Sequence, residues 1–278
     1  MEENQKNCYL ILVVIYNVDL KASETITSLL NSRHYLNNSS VIVWDNSLHF
    51  QQQSTVDWVA AGINDVRYIH RAENITLSKI YNEVINKHRD DKYSHLILLD
   101  QDSTFGPEYF FQLNKSINRF RDISLFLPIV ISSNQIVSPA NIFLFKGEYW
   151  GDKKIGLVKA KHKTAINSGM VISFEYLRDK FPGYDERFKF YGTDTFFMKL
   201  YSKYNDEFCV FDCVVKHHLA YKDGTNVEGI IKRHPENVRA IFLLNSENIA
   251  IRLLTLVYVL IFSIKQSIKH KDIRFLKW

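Results

Sequence analysis

The chain has 278 residues, 46% of them hydrophobic and 23% charged, which is enough apolar content for a large core and argues against wholesale disorder. Its net charge of +5 is unevenly placed: Lys265, Lys269, Lys271, Arg274 and Lys277 against Asp272 give the last fourteen residues +4, leaving about +1 for the rest. The body is therefore no basic nucleic-acid surface, and three loosely spaced cysteines (Cys8, Cys209 and Cys213) argue against a disulfide framework or thiolate metal site and fit a reducing compartment.

Residues 10–15 (LILVVI) predict a strand buried on both faces. Ala22, Ile26, Leu29 and Leu30 then fall on one helical face. Residues 41–44 predict a second strand, Val56, Val59 and Ala60 a short helix, and residues 66–69 a third strand. Leu77, Ile80, Tyr81, Val84 and Ile85 recur at i, i+3, i+4, i+7 and i+8, the spacing of an amphipathic helix. Residues 96–99 predict a fourth strand. This alternation argues for an α/β fold with a mainly parallel central sheet covered by helices.

Beyond Pro107 the pattern changes. Phe110, Leu113, Ile117 and Phe120 mark a helix, residues 125–131 and 142–145 predict strands, and residues 164–173 predict a strand broken by Gly169. Helices are expected over 175–180 and 195–204, and a late strand over 208–215. The expected organisation is one domain over 1–248, with halves at 8–105 and 106–248, followed by a helical tail over 249–278.

Residues 249–264 (IAIRLLTLVYVLIFSI) are the most apolar stretch. The charge-free part from Leu253 has twelve residues, short of the about 20 needed to span a bilayer, and a basic run follows it. One reading is a helix docked on an anionic membrane surface; the other is a helix packed on the core with a solvated basic end. The concentration of positive charge favours the first. The opening residues MEENQKN carry no signal-peptide pattern, so the expected location is cytoplasmic, peripheral at the inner face of the membrane.

The stretch HLILLDQDS drives a buried strand into two acids, Asp100 and Asp102. In α/β sheets ligands sit at the carboxyl ends of strands, and in extended backbone residues i and i+2 point the same way. The two carboxylates would then address one hard cation, Mg²⁺ or Mn²⁺. The alternative is that Asp102 or Ser103 belongs to the turn before the next helix. No glycine-rich dinucleotide fingerprint, phosphate-binding P-loop or nucleophile-elbow motif is present.

Six segments in order carry a resemblance: VVIYNVDL (13–20), VWDNS (43–47), HRAENITLSKIYN (70–82), ILLDQDS (97–103), NSGMVIS (167–173) and YGTDTFFMKLY (191–201). Together they resemble family 2 glycosyltransferases, and most closely the bacterial rhamnosyltransferase-like branch. The resemblance implies a GT-A fold with a nucleotide-binding first half and an acceptor-binding second half. It implies Tyr16 and Asn17 beside the base, Asp45 accepting from a pyrimidine N3–H, and Asn74, Ser78, Lys79 and Gln101 near the nucleotide. Lys79 has the alternative of a solvated helix residue, and Asp45 that of a turn aspartate.

The same resemblance makes Asp102 the main metal ligand. Asp100 would contact ribose or metal-bound water, or join Asp102 on the metal. Asn167, Ser168 and Gly169 would line the donor sugar. Asp194 is implied as the base for the acceptor hydroxyl, where family members carry Glu-Asp and this chain has Thr193-Asp194; its alternative is a helix cap. His217 or its neighbour His218 would be a further metal ligand, His217 being preferred. Arg233, His234, Pro235, Arg239 and Asn245 resemble a later segment near the acceptor.

The implied activity is inverting, metal-dependent transfer of a rhamnose or hexose from a nucleotide-diphosphate donor to a polyprenyl-linked or oligosaccharide acceptor, in building a surface polysaccharide such as O-antigen or capsule. The missing acid at Thr193 leaves an alternative, a non-catalytic nucleotide-sugar-binding scaffold subunit. A nucleotidyltransferase is disfavoured, because residues 10–20 hold no glycine.

Overall fold

The computed structural model describes residues 7–51, 58, 63, 65–217 and 227–278. Strand β1 (Tyr9–Ile15) is buried at every position. Leu10, Leu12 and Val14 enter one core, while Tyr9, Ile11, Val13 and Ile15 enter another on the opposite face. YLILVVI is apolar throughout because both faces of its sheet are covered. Helix α1 (Glu24–Asn31) starts at Ser23, whose hydroxyl accepts from the Ile26 N–H. Strands β2 (Ser40–Asp45) and β3 (Asp65–His70) extend the sheet in parallel on one side of β1. After α2 (Leu77–Lys87), capped by the Thr76 side chain, β4 (His95–Asp100) pairs with the other side of β1.

A two-residue strand β5 (Ser103–Thr104) leads to α3 (Glu108–Arg119). Next come β6 (Leu125–Ser132), β7 (Gln135–Ser138), β8 (Ala140–Phe143), β9 (Lys146–Tyr149), β10 (Gly156–Lys159), β11 (Lys163–Thr164) and β12 (Met170–Ser173). Helices α4 (Phe174–Asp179) and α5 (Thr193–Tyr204), strand β13 (Glu207–His217) and helices α6 (Val227–Leu244) and α7 (Ile249–His270) complete the described chain, with a short 3-10 turn over Ile273–Leu276.

The main sheet runs β10-β13-β6-β12-β4-β1-β2-β3, and a small sheet runs β11-β8-β9. On the main path β12 and β10 run against the other six strands. Helices α2, α4 and α5 cover one face, where Ile80, Tyr81, Leu177, Phe197 and Tyr201 pack, and α1 and α3 cover the other through Ile26, Leu29, Tyr109 and Leu113. Because the chain steps outward from β1 to β3 and then returns to β1's other side with β4, the carboxyl ends of β1 and β4 lie side by side at the centre of the sheet.

Several expectations need correcting. The strand expected over 164–173 is two strands in different sheets, β11 and β12. β9 is exposed at every position, so no alternation announced it, and α6 carries Pro235 in its interior, a residue that reads as a breaker. The apolar tail forms a 22-residue helix that runs on through Lys265 and Lys269 to His270. The short helix expected around Val56, Val59 and Ala60, and His218, lie outside the described residues.

Candidate active site

Asp100 is the last residue of β4, but the backbone does not stay extended beyond it. Gln101 and Asp102 form a turn, so the two acids do not share one strand face as the i, i+2 spacing suggests. The turn is stapled from α1. Thr25 Oγ1 donates to the Asp100 carbonyl and accepts from the Ser103 N–H at 2.9 Å, and Ser23 Oγ donates to the Gln101 carbonyl at 2.7 Å. Gln101 Oε1 accepts from the Tyr16 N–H at 2.7 Å, which ties the loop after β1 to the loop after β4.

The carboxylate of Asp100 turns inward. Its Oδ2 accepts from Ser168 Oγ at 2.6 Å, and Ser103 Oγ donates to Ser168 Oγ at 3.0 Å. Burial pushes its pKa up, against the opposing pull of His217 and the Ser168 hydroxyl. Asp102 goes elsewhere. β5 pairs with the end of β13, setting Ser103 against His217, and this brings His217 Nδ1 within 3.2 Å of Asp102 Oδ1. Burial pulls the His217 pKa down, but Asp102 and Asp100 outweigh it and the net shift is upward.

Asp194 lies in the first turn of α5, whose cap position is Gly192 in the left-handed region (φ 83°). Its Oδ1 accepts from the Thr195 N–H at 2.6 Å. Burial, reinforced by the charge of Asp100, raises its pKa to about 6 although the hydrogen bonds at Thr195 oppose the shift. Asn167 Nδ2 reaches Thr193 Oγ1 at 3.4 Å, and Asn167 Oδ1 is a buried acceptor with no partner among the described residues. Asp100, Ser168, Asn167, Thr193 and Asp194 thus form one polar wall joining the end of β4, the start of β12 and the start of α5.

A divalent metal would need ligands from this edge. Among the described residues no group of three His, Cys, Asp or Glu side chains is arranged to hold an ion. The physical reason is the turn at Gln101, together with the bond that commits Asp100 to Ser168. The Asp102–His217 pair does fit a metal completed by other oxygens. His217 Nδ1 is buried without a hydrogen bond and faces a carboxylate, and a site of few protein ligands plus substrate phosphates suits Mg²⁺.

The family model for glycosyl transferase family 2 matches residues 10–181, more than half of the chain. The chain belongs to this family. Its fold is similar to that of GalNAc-T7, solved with UDP, GalNAc and Mn²⁺ (TM-score 0.57, 12% identity, 78% of this chain and 45% of that one). It is also similar to S. aureus TarS 1–349, solved with UDP (TM-score 0.54, 14% identity, 86% and 65%) and with UDP-GlcNAc (0.53, 13%, 86% and 66%). The chain spans less than two thirds of the length of the first two of these proteins. No curated protein matches it in sequence. The family match ends before Asp194 and His217, so their assignment leans on the resemblance of motifs and on geometry.

On the side where the family resemblance puts the nucleotide, Tyr16 is 42% exposed and Asn17 adopts the left-handed region (φ 52°), donating its N–H to Ser47 Oγ at 2.7 Å. Asp45 is fully buried. Its Oδ1 accepts from the Ser47 N–H, and its Oδ2 from the Gln51 N–H and the Tyr68 hydroxyl. Burial alone would raise its pKa, but these bonds overcome it and hold the carboxyl below its ordinary value. Through these three bonds it braces the turn after β2.

Other residues of the expected contact set make bonds within the protein. Ser78 is buried and donates to the Phe188 carbonyl at 2.8 Å, pinning α2 to the loop before α5, while Lys79 is an exposed helix residue. Asn74, with φ 46°, accepts from Asn46 Nδ2 at 3.0 Å. Ser168 orients Asp100 and is fully buried. Gly169 (φ 83°) is needed because a Cβ there would sit 2.7 Å from Pro128 Cγ; the close neighbour is the protein's own ring. His234 is buried against α7 and bonded to Ser263 Oγ at 3.0 Å.

Four residues near this edge were not singled out from sequence. Ser47 and His70 meet through His70 Nε2 and the Ser47 carbonyl at 3.0 Å, and Phe50 stands edge-on over Tyr68 and His70. Ser47 and His70 lie inside the VWDNS and HRAEN segments, so the signal was present in the motifs. Tyr68 and Phe50 have no such signal; pairing of β2 with β3 brings Tyr68 to the site.

Proposed function

We propose that the protein is an inverting glycosyltransferase that moves a sugar from a nucleotide-diphosphate donor to a hydroxyl of a lipid-linked or oligosaccharide acceptor. The observation that carries this reading is the placement of Asp194 at the start of α5, on a polar wall that also holds Asp100, where burial pushes its carboxyl up to about 6. A general base works best with a pKa near the working pH. Asp194 takes the proton of the acceptor hydroxyl as its oxygen attacks the anomeric carbon, the bond from that carbon to the diphosphate oxygen breaks, and the configuration inverts.

Asp102 and His217 would hold Mg²⁺ or Mn²⁺, which when bound supplies positive charge against the leaving diphosphate. Asp100, fixed by Ser168, adds negative charge beside Asp194 and keeps its pKa high. The loop after β1, with Tyr16 exposed and Asn17 beside it, would meet the nucleoside. A rhamnose or hexose donor, and a product destined for a surface polysaccharide, follow from the rhamnosyltransferase-like motifs.

A second reading is a non-catalytic subunit that binds nucleotide sugar, favoured by Thr193 where relatives of this motif carry an acid and by the use of its hydroxyl on Asn167. One experiment separates the two. A panel of nucleotide sugars with Mn²⁺ is screened for thermal stabilisation, and the best donor is assayed for hydrolysis and transfer with wild type and Asp102→Ala. Metal-dependent turnover lost in the variant supports the transferase. Binding without turnover supports the scaffold, and equal metal-dependent turnover in the variant removes Asp102 from the mechanism.

A further inference from the structure

Helix α7 has its amphipathic faces reversed. Residues advance about 100° around a helix axis, so Leu253, Val257, Leu260, Ile261, Ile264 and Ile268 share one face, and all six are exposed, Leu253 by 61% and Ile268 by 73%. No charged residue falls inside that arc. The opposite face carries Thr255, Val259 and Ser263, which are buried against the protein. Two hydroxyl side chains face inward and a row of aliphatic ones faces out, the opposite of a helix docked on a core.

The apolar face continues onto the β8–β9 hairpin. Phe145 in its turn stacks on Tyr258 of α7 with ring centroids 4.9 Å apart, and Phe143 and Leu144 beside it are 72% and 49% exposed. Positive charge borders the same surface. Lys265 and Lys269 lie beyond one edge of the arc, Lys271 and Lys277 follow the helix, and none of the four makes an ion pair among the described residues.

We propose that the outward face of α7 and the β8–β9 tip lie together in the headgroup–acyl boundary of an anionic bilayer, with α7 in the membrane plane. An anionic bilayer supplies both hydrocarbon for the aliphatic arc and negative charge for the lysines. A second copy of this chain would supply the hydrocarbon but bring the same positive charge.

With 22 residues, about 33 Å of helix, and a stretch of mean hydropathy 1.8, α7 also has the length to cross. Both its ends, however, are held to the body. Arg274 just beyond it pairs with Glu228 at the start of α6, Phe275 packs on His234, and Lys199 donates to the Leu244 carbonyl before its start. Crossing would tear these contacts; lying flat keeps them.

The placement has a consequence for the site, although the proposal does not depend on the transfer reaction. β8 pairs with β11 through Ala140 and Thr164, and Thr164 Oγ1 meets Thr195 Oγ1, next to Asp194, at 3.0 Å. Phe143 is three residues along β8, about 10 Å at strand rise. The wall of the candidate site thus stands close to the lipid surface, within reach of an acceptor held by a lipid anchor.

The test is flotation of the full chain with vesicles of phosphatidylcholine alone or mixed with phosphatidylglycerol. The expected result is binding to the mixed vesicles, with affinity falling at least about tenfold in Val257→Asp/Ile261→Asp and about fivefold or more in Lys265→Ala/Lys269→Ala. Circular dichroism verifies that each variant is folded, and Phe143→Ser, at the exposed end of β8, gives a second probe that leaves α7 intact and is expected to weaken binding to the mixed vesicles. Absence of flotation, or equal flotation of Val257→Asp/Ile261→Asp, overturns the proposal. So does a wild-type dimer in sedimentation equilibrium that this variant dissociates without any lipid binding. Resistance to alkaline extraction would show a crossing helix and overturn the in-plane placement.

Discussion

At the carboxyl edge of the sheet, aliphatic side chains of β1 and β4 are buried and the acids Asp100 and Asp102 stand where the strands end; along α7, Thr255 and Ser263 face the protein while leucines and isoleucines face out. Both regions are strongly apolar in sequence. In the sheet that character is used up by folding, because α1 and α3 on one face and α2 and α5 on the other cover it. In α7 most of it remains available after folding. An apolar run therefore reports a demand for burial without saying whether the protein or another phase meets it.

The largest effect that would break this comparison lies at the site. Asp194→Asn is expected to lower transfer by about 10²- to 10⁴-fold, the usual range for removing a general base, while calorimetry shows donor binding little changed. Wild-type activity should rise with pH through about 6 and level off above it, following the Asp194 pKa. The same substitution should stabilise the fold. The folded carboxyl, raised from 3.8 to about 6, costs stability progressively as pH climbs between those values and fully above them. Removing it should therefore raise the melting temperature at pH 7.5 by an amount worth no more than about 3 kcal/mol, and change nothing below pH 4. A destabilised Asp194→Asn at neutral pH would contradict the assignment of burial as the cause.

Next in size is a matched pair of truncations that sharpens the contrast directly. Leu98, fully packed in β4, should cost about 2–5 kcal/mol on change to alanine, whereas Val257→Ala on the outward face of α7 should stay within about 0.5 kcal/mol; denaturant melts of the two report it. A smaller effect is expected at Ser168→Ala, which removes the hydroxyl on Asp100 and should cost about 1–3 kcal/mol. Its transfer rate should fall less than that of Asp194→Asn, since Ser168 is fully buried and acts by positioning Asp100.

Much of the fold was legible in the residues. The alternation of apolar runs and 3.6-residue stripes from β1 to β4 follows from the burial of both sheet faces, and LILVVI and HLILL announce it without help from any neighbour. What stayed hidden had no local signature. β9 pairs through its backbone with no buried side chain, and β11 and β12 look like one strand until their partners separate them into two sheets. At the site, residue types were readable but not their company. The i, i+2 spacing of Asp100 and Asp102 suggested a shared cation, yet the turn at Gln101 sends one to Ser168 and the other to His217.

By itself the sequence determined the apolar periodicity, and hence the layered α/β core, the order of motifs that marks the family, and the excess of positive charge at the end of the chain. Only the tertiary structure decided which acids meet: β5 must pair with β13 before Asp102 sees His217, and Thr193 at the start of α5 must meet Asn167 before Asp194 feels Asp100. It also decided that α7 turns its hydroxyls inward. The reason is common to all three. Periodicity is set by bonds between near neighbours along the chain, whereas the partner, burial and charge of a side chain depend on residues tens to a hundred or more positions away, which no local pattern encodes.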